Sequence, residues 1–218
     1  MRIHLKIKTA NTLIPFNHQH LLTGTIHKWL GWNNEHGNLS LYSFSQLSGC
    51  SVTDNGFTFK SSTSMFFSSH DSILIKTMIS GIQKDADMFN GLTVTDIIMQ
   101  EDPDMTFRNL FYVASPIFIK RRVGERDDHI IYNDSRANGC LKETLISKME
   151  KVGLNDESLV IMFEDKYPKA GTKMIAYKEV ENRCSWCPVI IEGKPETKLF
   201  AWNVGLGNST GIGFGAIK

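Results

Sequence analysis

Polar and apolar residues alternate from Arg2 to Lys8, with Ile3, Leu5 and Ile7 on one side. This is the period-two signature of a half-buried strand. The spacing then lengthens. Over residues 17–30 the apolar positions Leu21, Leu22, Ile26, Trp29 and Leu30 recur at helical intervals, Pro15 stands just ahead, and Gly31 follows. A helix is therefore predicted there, with Asn17 as its N-cap. Residues 32–38 form a polar loop. Short apolar runs predict strands at 39–44, 51–53, 57–60 and 64–67, then an amphipathic helix at 72–83 and an apolar strand at 92–100. The first hundred residues thus read β-α-β-β-α-β, the split βαβ order of a ferredoxin-like domain with an extra hairpin.

The second half is less regular. A strand over 110–119 is broken at Ser115-Pro116, a helix is predicted over 139–151, and strand patterns fall at 159–163, 174–177 and 186–191. A helix at 197–204 precedes a glycine-rich stretch, and residues 213–217 read as a short terminal strand. The predicted class is α+β, two α+β domains in tandem. Asp102-Pro103-Asp104 interrupts the pattern, so the boundary is placed between 1–103 and 104–218.

Composition narrows the field. At 218 residues, with 41% hydrophobic and 22% charged, the chain fits an ordinary globular protein. No apolar run approaches the roughly 18 residues that span a bilayer, and no secretory leader pattern opens the chain. The expectation is a cytoplasmic protein without a membrane partner. A net charge of +1 excludes the bulk positive charge of a nonspecific nucleic-acid binder. RNA contact would have to come from local clusters, Lys120-Arg121-Arg122 with Arg126, or Lys166, Lys169, Lys173 and Lys178. Cys184-Ser185-Trp186-Cys187 lacks the second pair that a zinc ribbon needs, and Pro188 with Val189-Ile190-Ile191 argues against the helix of a thioredoxin-type motif. The cysteines read as incidental and reduced.

Candidate chemistry lies near both ends. Gly205, Gly207, Gly211, Gly213 and Gly215 strip a short segment of side chains. Such a backbone reaches positive φ freely and its N–H groups can form an anion-binding nest; the alternative is a glycine-softened closure of a sheet with nothing bound. The segment is neither a Walker A loop nor a dinucleotide fingerprint, since no Gly-Lys-Ser/Thr and no following helix accompany it. Four histidines, His18, His20, His27 and His36, fall within residues 18–36. His20 and His27 share a helix face, but no carboxylate or cysteine completes a metal set, so neither metal nor cofactor is expected. His36, in the polar loop, can exchange protons near neutral pH.

Read together, these features resemble the CRISPR repeat-RNA endoribonucleases of the RAMP superfamily, which cut precursor transcripts into guide RNAs. The resemblance rests on the N-terminal strand, the Pro15-Phe16-Asn17-His18-Gln19 helix opening, the loop histidine, the Ser115-Pro116-Ile117 turn before Lys120-Arg121-Arg122, and most specifically the Gly-x-Gly-(x)3-Gly-x-Gly-x-Gly stretch. It covers essentially the whole chain. It implies two tandem ferredoxin-like (RRM-type) domains with a C-terminal glycine-rich loop. It also implies metal-independent cleavage by the ribose 2′-OH, leaving a 2′,3′-cyclic phosphate and a 5′-OH. His36 matches the family's catalytic histidine, and His27 occupies the helix position where many members carry tyrosine. The lysine many members place shortly after the histidine is missing here, since no lysine occurs between His36 and Lys60; Lys28 beside His27 is the nearby cation. RNA contacts are expected from Lys28, Lys120, Arg121, Arg122, Gly205, Gly207, Ser209, Thr210, Gly211, Gly213 and Gly215, with the glycine backbone either touching RNA or bracing the adjacent helix. The implied partners are CRISPR repeat RNA, as precursor and processed guide, and a CRISPR effector complex, the chain being a monomer or homodimer. The alternative is a non-cutting RNA-binding subunit of such a complex.

Overall fold

The computed structural model describes residues 1–10, 12–31 and 39–218; Asn11 and residues 32–38, including Trp32 and His36, lie outside the described residues. The first half contains β1 (Arg2–Lys8), α1 (Gln19–Leu30), β2 (Tyr42–Phe44), β3 (Ser51–Thr53), β4 (Gly56–Thr58), β5 (Ser62–Ser69), α2 (Ser72–Lys84) and β6 (Thr93–Gln100). β1 lies at the centre, antiparallel to both β5 and β6, and β2 adds to β5, giving the order β2-β5-β1-β6. The period-two pattern explains this placement. Ile3, Leu5 and Ile7 are fully buried and pack with Leu22, Ile26 and Trp29 of α1 and Ile75, Met78 and Ile82 of α2. β3 and β4 form the extra hairpin.

Helix α1 starts two residues later than its pattern suggests. His18 takes the N-cap position in helical geometry without a side-chain cap, and its Nδ1 pairs with the Pro15 carbonyl at 2.9 Å. Asn17 therefore does not cap. By contrast, Asp71 caps α2 through a 2.7 Å bond from the Ile73 N–H.

The second half contains β7 (Leu110–Phe111), β8 (Lys120–Val123), β9 (Arg126–His129), α3 (Ala137–Glu150), β10 (Val160–Phe163), β11 (Gly171–Tyr177), β12 (Val180–Trp186), β13 (Val189–Glu192) and α4 (Pro195–Val204). Its sheet runs β10-β13-β7, and the Val113–Ile217 bridge sets the final segment on the far side of β7. Spatially the row repeats that of the first half. Fold class is thus α+β with ferredoxin-like halves, each carrying inserted hairpins. Buried apolar residues gather into two main clusters, one drawn from residues 3–94 and one from 105–217. No helix among the described residues is long and apolar enough to cross a membrane.

Three expected strands change. The run over 110–119 pairs regularly only at Leu110–Phe111, then continues through the single bridges of Val113 and Ile117. The strand expected at 186–191 is two strands, parted at Cys187-Pro188, because proline cannot donate to a ladder. The terminal strand expected at 213–217 shortens to residues 216–218, which pair with 112–114 through a single bridge: Gly213 (φ 90°) and Gly215 (φ 70°) leave extended geometry, and Thr210–Ile212 forms a single 3₁₀ turn.

Candidate functional site

The glycine segment lies against α1, the region just before β2, and α3. Gln19 Nε2 and Thr23 Oγ1, both in the first turns of α1, donate to the Ile212 carbonyl at 2.8 and 3.2 Å. A Cβ on Gly213 would collide with Gln19 Nε2 and the Phe44 ring, and one on Gly215 would strike the Leu206 carbonyl. Both positions also need positive φ, so the requirement for glycine is geometric twice over.

Several N–H groups of the segment are already used. Gly205 donates to Ala201 O, Leu206 to Gly215 O, Asn208 to Phe118 O, Gly213 to Thr210 O and Gly215 to Pro116 O. The anion-nest reading fails at Gly205, Gly213 and Gly215 for this reason. The segment is a brace, and its glycines serve close packing. Thr210 is likewise committed: it is buried, its hydroxyl accepts from Lys148 Nζ at 3.1 Å and lies 3.4 Å from the Ser40 carbonyl. Gly207 packs against Phe118 and Ile117, and Gly211 against Ser40 and Tyr42. Ser209 is the exposed residue of this stretch, held at φ 60°.

Lys148 was not among the sequence candidates. It is 1% exposed, and its ammonium also donates to the Val204 and Gly205 carbonyls at 3.1 and 3.2 Å. It thereby satisfies acceptors that the end of α4 leaves open while holding the brace to α3.

His27 sits in the last turn of α1, half-buried, with Nε2 3.3 Å from the Tyr42 hydroxyl. That hydroxyl lies 3.3 Å from the Gly211 carbonyl. Imidazole, phenol and glycine backbone thus form a chain from α1 through β2 to the brace. Tyr42 is 2% exposed and has no open face on which a base could stack. His36, expected as the principal catalytic residue, lies outside the described residues.

The basic candidates occupy two other places. Lys28 is on the exposed side of α1, paired with Asp85 Oδ2 at 2.8 Å and bonded to the Asp87 carbonyl. Lys120, Arg121 and Arg122 form β8, for which the sequence pattern indicated no element. Lys120 pairs with Asp127 at 3.1 Å, Arg121 with Glu143 at 3.1 Å and Arg122 with Asp127 at 3.7 Å. The Lys120 hydrogen bond is the main cause holding the Asp127 carboxyl below its usual range. Lys120 and Arg122 share the one Asp127 carboxylate, so a phosphate reaching this strand would compete with Asp127. The hairpin does join the brace, because Asn208 Oδ1 accepts from the Lys120 N–H at 2.9 Å.

Among the described residues no three His, Cys, Asp or Glu side chains group as metal ligands. Burial pushes the Cys184 and Cys187 thiols up to about 12, so both are protonated at neutral pH.

The comparisons with known proteins agree with each other. The family model for "CRISPR associated protein Cas6, C-terminal" matches residues 100–218. The CRISPR-associated endoribonuclease Cas6 1 of Methanocaldococcus jannaschii is 25% identical over 240 residues, which span 100% of this chain and 92% of that protein. A solved CRISPR associated protein Cas6 superposes with a TM-score of 0.85 at 23% identity, covering 100% of this chain and 98% of the other. The product of a Cas6-related gene from Pyrococcus furiosus gives 0.86 at 22%, covering 100% and 97%. At these identities the solved structures establish a shared fold.

Proposed function

The chain belongs to the CRISPR-associated Cas6 family, and from that premise we propose that it is an endoribonuclease cutting CRISPR repeat RNA within precursor transcripts to release guide RNAs. The curated Methanocaldococcus jannaschii relative bears the name of an endoribonuclease, which supports the reaction class. The observation that carries the mechanism is the His27–Tyr42–Gly211 chain. Donation of the Tyr42 proton to the Gly211 carbonyl leaves the phenol oxygen to accept from His27 Nε2–H. The contact ties the imidazole to the brace, and an imidazole held in this way can exchange protons near neutral pH.

In the proposed reaction the 2′-OH oxygen attacks the adjacent phosphorus. The P–O2′ bond forms as the P–O5′ bond breaks, leaving a 2′,3′-cyclic phosphate and a 5′-OH. One group takes the 2′-OH proton and another gives a proton to the 5′ oxygen; His36 and His27 fill these two roles in our reading. Protonated imidazole also supplies positive charge near the phosphorane. Lys28 is a weaker source, since Asp85 already neutralises it. No step requires a metal. We further take 1–103 and 104–218 as the two domains, with RNA held where the brace joins them. Ser209 and the β8–β9 hairpin line the approach.

The test is cleavage of the host's repeat RNA in EDTA by wild type, His36→Ala and His27→Ala, with both product ends mapped. We expect wild type to leave a cyclic phosphate and a 5′-OH, and each variant to cut 10²–10⁴-fold more slowly while still binding, as roughly expected for a lost general acid or base. A single 2′-deoxy sugar at the cut blocks the reaction. Dependence on added metal would overturn the mechanism, and binding without cutting would favour the non-cutting subunit of an effector complex.

A further inference from the structure

Three exposed apolar side chains that belong to distant parts of the chain converge on one cavity. Phe16 (51% exposed) comes from the segment leading into α1, Val52 (71%) from β3 and Met174 (55%) from β11. The cavity between them measures about 510 Å³, within the roughly 300–1,000 Å³ typical of small-molecule sites. Phe59 is a buried part of its lining, Phe57 stands beside Phe16 with ring centroids 5.0 Å apart at 83°, and Lys173 adds a cation. Lys173 Nζ rests 3.7 Å over the Trp186 ring. Scattered apolar residues on a surface need no explanation, but a concave group of them does.

The lining specifies its occupant. Edge-to-face packing on Phe57 leaves a face of Phe16 for a flat aromatic group, and the adjoining ammonium suits an anionic tail. A nucleotide has both parts. Stacking on an aromatic side chain is tolerant of base identity and is the usual way of holding unpaired RNA. The cavity opens beside His18, nine residues before His27 and so about 14 Å away along α1. A base held here is not the one at the scissile phosphate.

Resting on the RNA-processing reading above, we propose that this cavity takes one unstacked base of the unpaired RNA flanking the cut site, with Phe16 as stacking platform and Lys173 as phosphate contact. Because Phe16 precedes α1 and Lys173 lies on β11, that nucleotide would be held by both halves of the chain.

The experiment uses the full chain with ¹³C-methyl methionine. AMP, GMP, CMP, UMP and host repeat RNA are titrated in turn, with ribose 5-phosphate as a probe lacking the base. The Met174 methyl resonance should move saturably with at least one mononucleotide and with repeat RNA, and stay still with ribose 5-phosphate. Phe16→Ala should abolish the nucleotide shift and weaken RNA binding by roughly 5- to 150-fold, the range for one lost stack, with kcat unchanged. Val52→Glu, which sets an anion at the cavity, should act in the same direction and guards against a fold effect of the first variant. If repeat RNA binds while Met174 does not move, or if ribose 5-phosphate moves it equally, the proposal is overturned. If mononucleotides move Met174 but repeat RNA is neither bound nor cut, the pocket stands and the RNA-processing reading falls.

Discussion

Tyr42 lies 3.3 Å from both His27 Nε2 and the Gly211 carbonyl, so Tyr42→Phe removes one hydroxyl and both contacts while keeping the buried ring. If His27 works as a tautomer-fixed acid or base, this variant should cut about tenfold or more slowly with KM little changed. Its pH–rate profile should also shift, whereas a purely structural loss would lower Tm and leave the profile in place. Asp156 makes a different single-residue case. Burial alone would raise its carboxyl, but hydrogen bonds from Ser158, the Lys194 N–H and Thr197 outweigh that and hold it at about 2. With an unfolded value near 3.9, its stabilisation is complete above about pH 4 and is lost as pH falls through about 2. Asp156→Asn should therefore cost about 1 kcal/mol at pH 7, discounted for screening. Acid denaturation curves should converge with wild type below about pH 2.

At the scale of elements, the β8–β9 hairpin turns a sequence candidate into a conditional one. A phosphate reaching Lys120 or Arg122 competes with Asp127, so Asp127→Asn should tighten RNA binding and steepen its salt dependence. Neutralising Lys120, Arg121 and Arg122 together should flatten it, as filter binding across a salt series would record. The elements of the first half were legible because each side is dictated by one burial pattern: Ile3, Leu5 and Ile7 alternate, and the apolar positions of α1 recur at 3.6. The β8–β9 hairpin was not legible because Lys120-Arg121-Arg122 and Arg126-Asp127-Asp128 carry no apolar alternation; only Gly124 at φ 61° marks its turn. The glycine segment was visible as a motif, but its role was not, since the acceptors that occupy its N–H groups, such as Pro116 O and Phe118 O, are distant in sequence. His27 could be named from spacing and resemblance. Its partner Tyr42 could not, because a tyrosine in a short strand looks like any core aromatic.

Over the whole molecule, Arg2 ties the two halves together. It is 2% exposed, lies between the Phe66 and Trp202 rings at 3.7 and 3.4 Å, and donates to the Trp202 and Ile217 carbonyls at 2.8 Å each. Burial pulls its guanidinium below the usual arginine value, while the aromatic faces and carbonyls keep the charge in place. Arg2→Ala leaves both acceptors unsatisfied and should cost on the order of 3 kcal/mol, read as a lower unfolding midpoint in urea.

The bonds from Gln19 and Thr23 to Ile212 also set an order in time. Ribosomes make α1 well before residue 212, and at about 5–20 residues per second the interval is on the order of 10–40 s. During that interval His27 and Tyr42 already exist, but Gly211 and the backbone that clamps α1 do not. An unfinished or prematurely terminated chain thus carries His27 without the frame that Gly211 and Ile212 complete, and on the reading proposed above such a chain should not cut RNA.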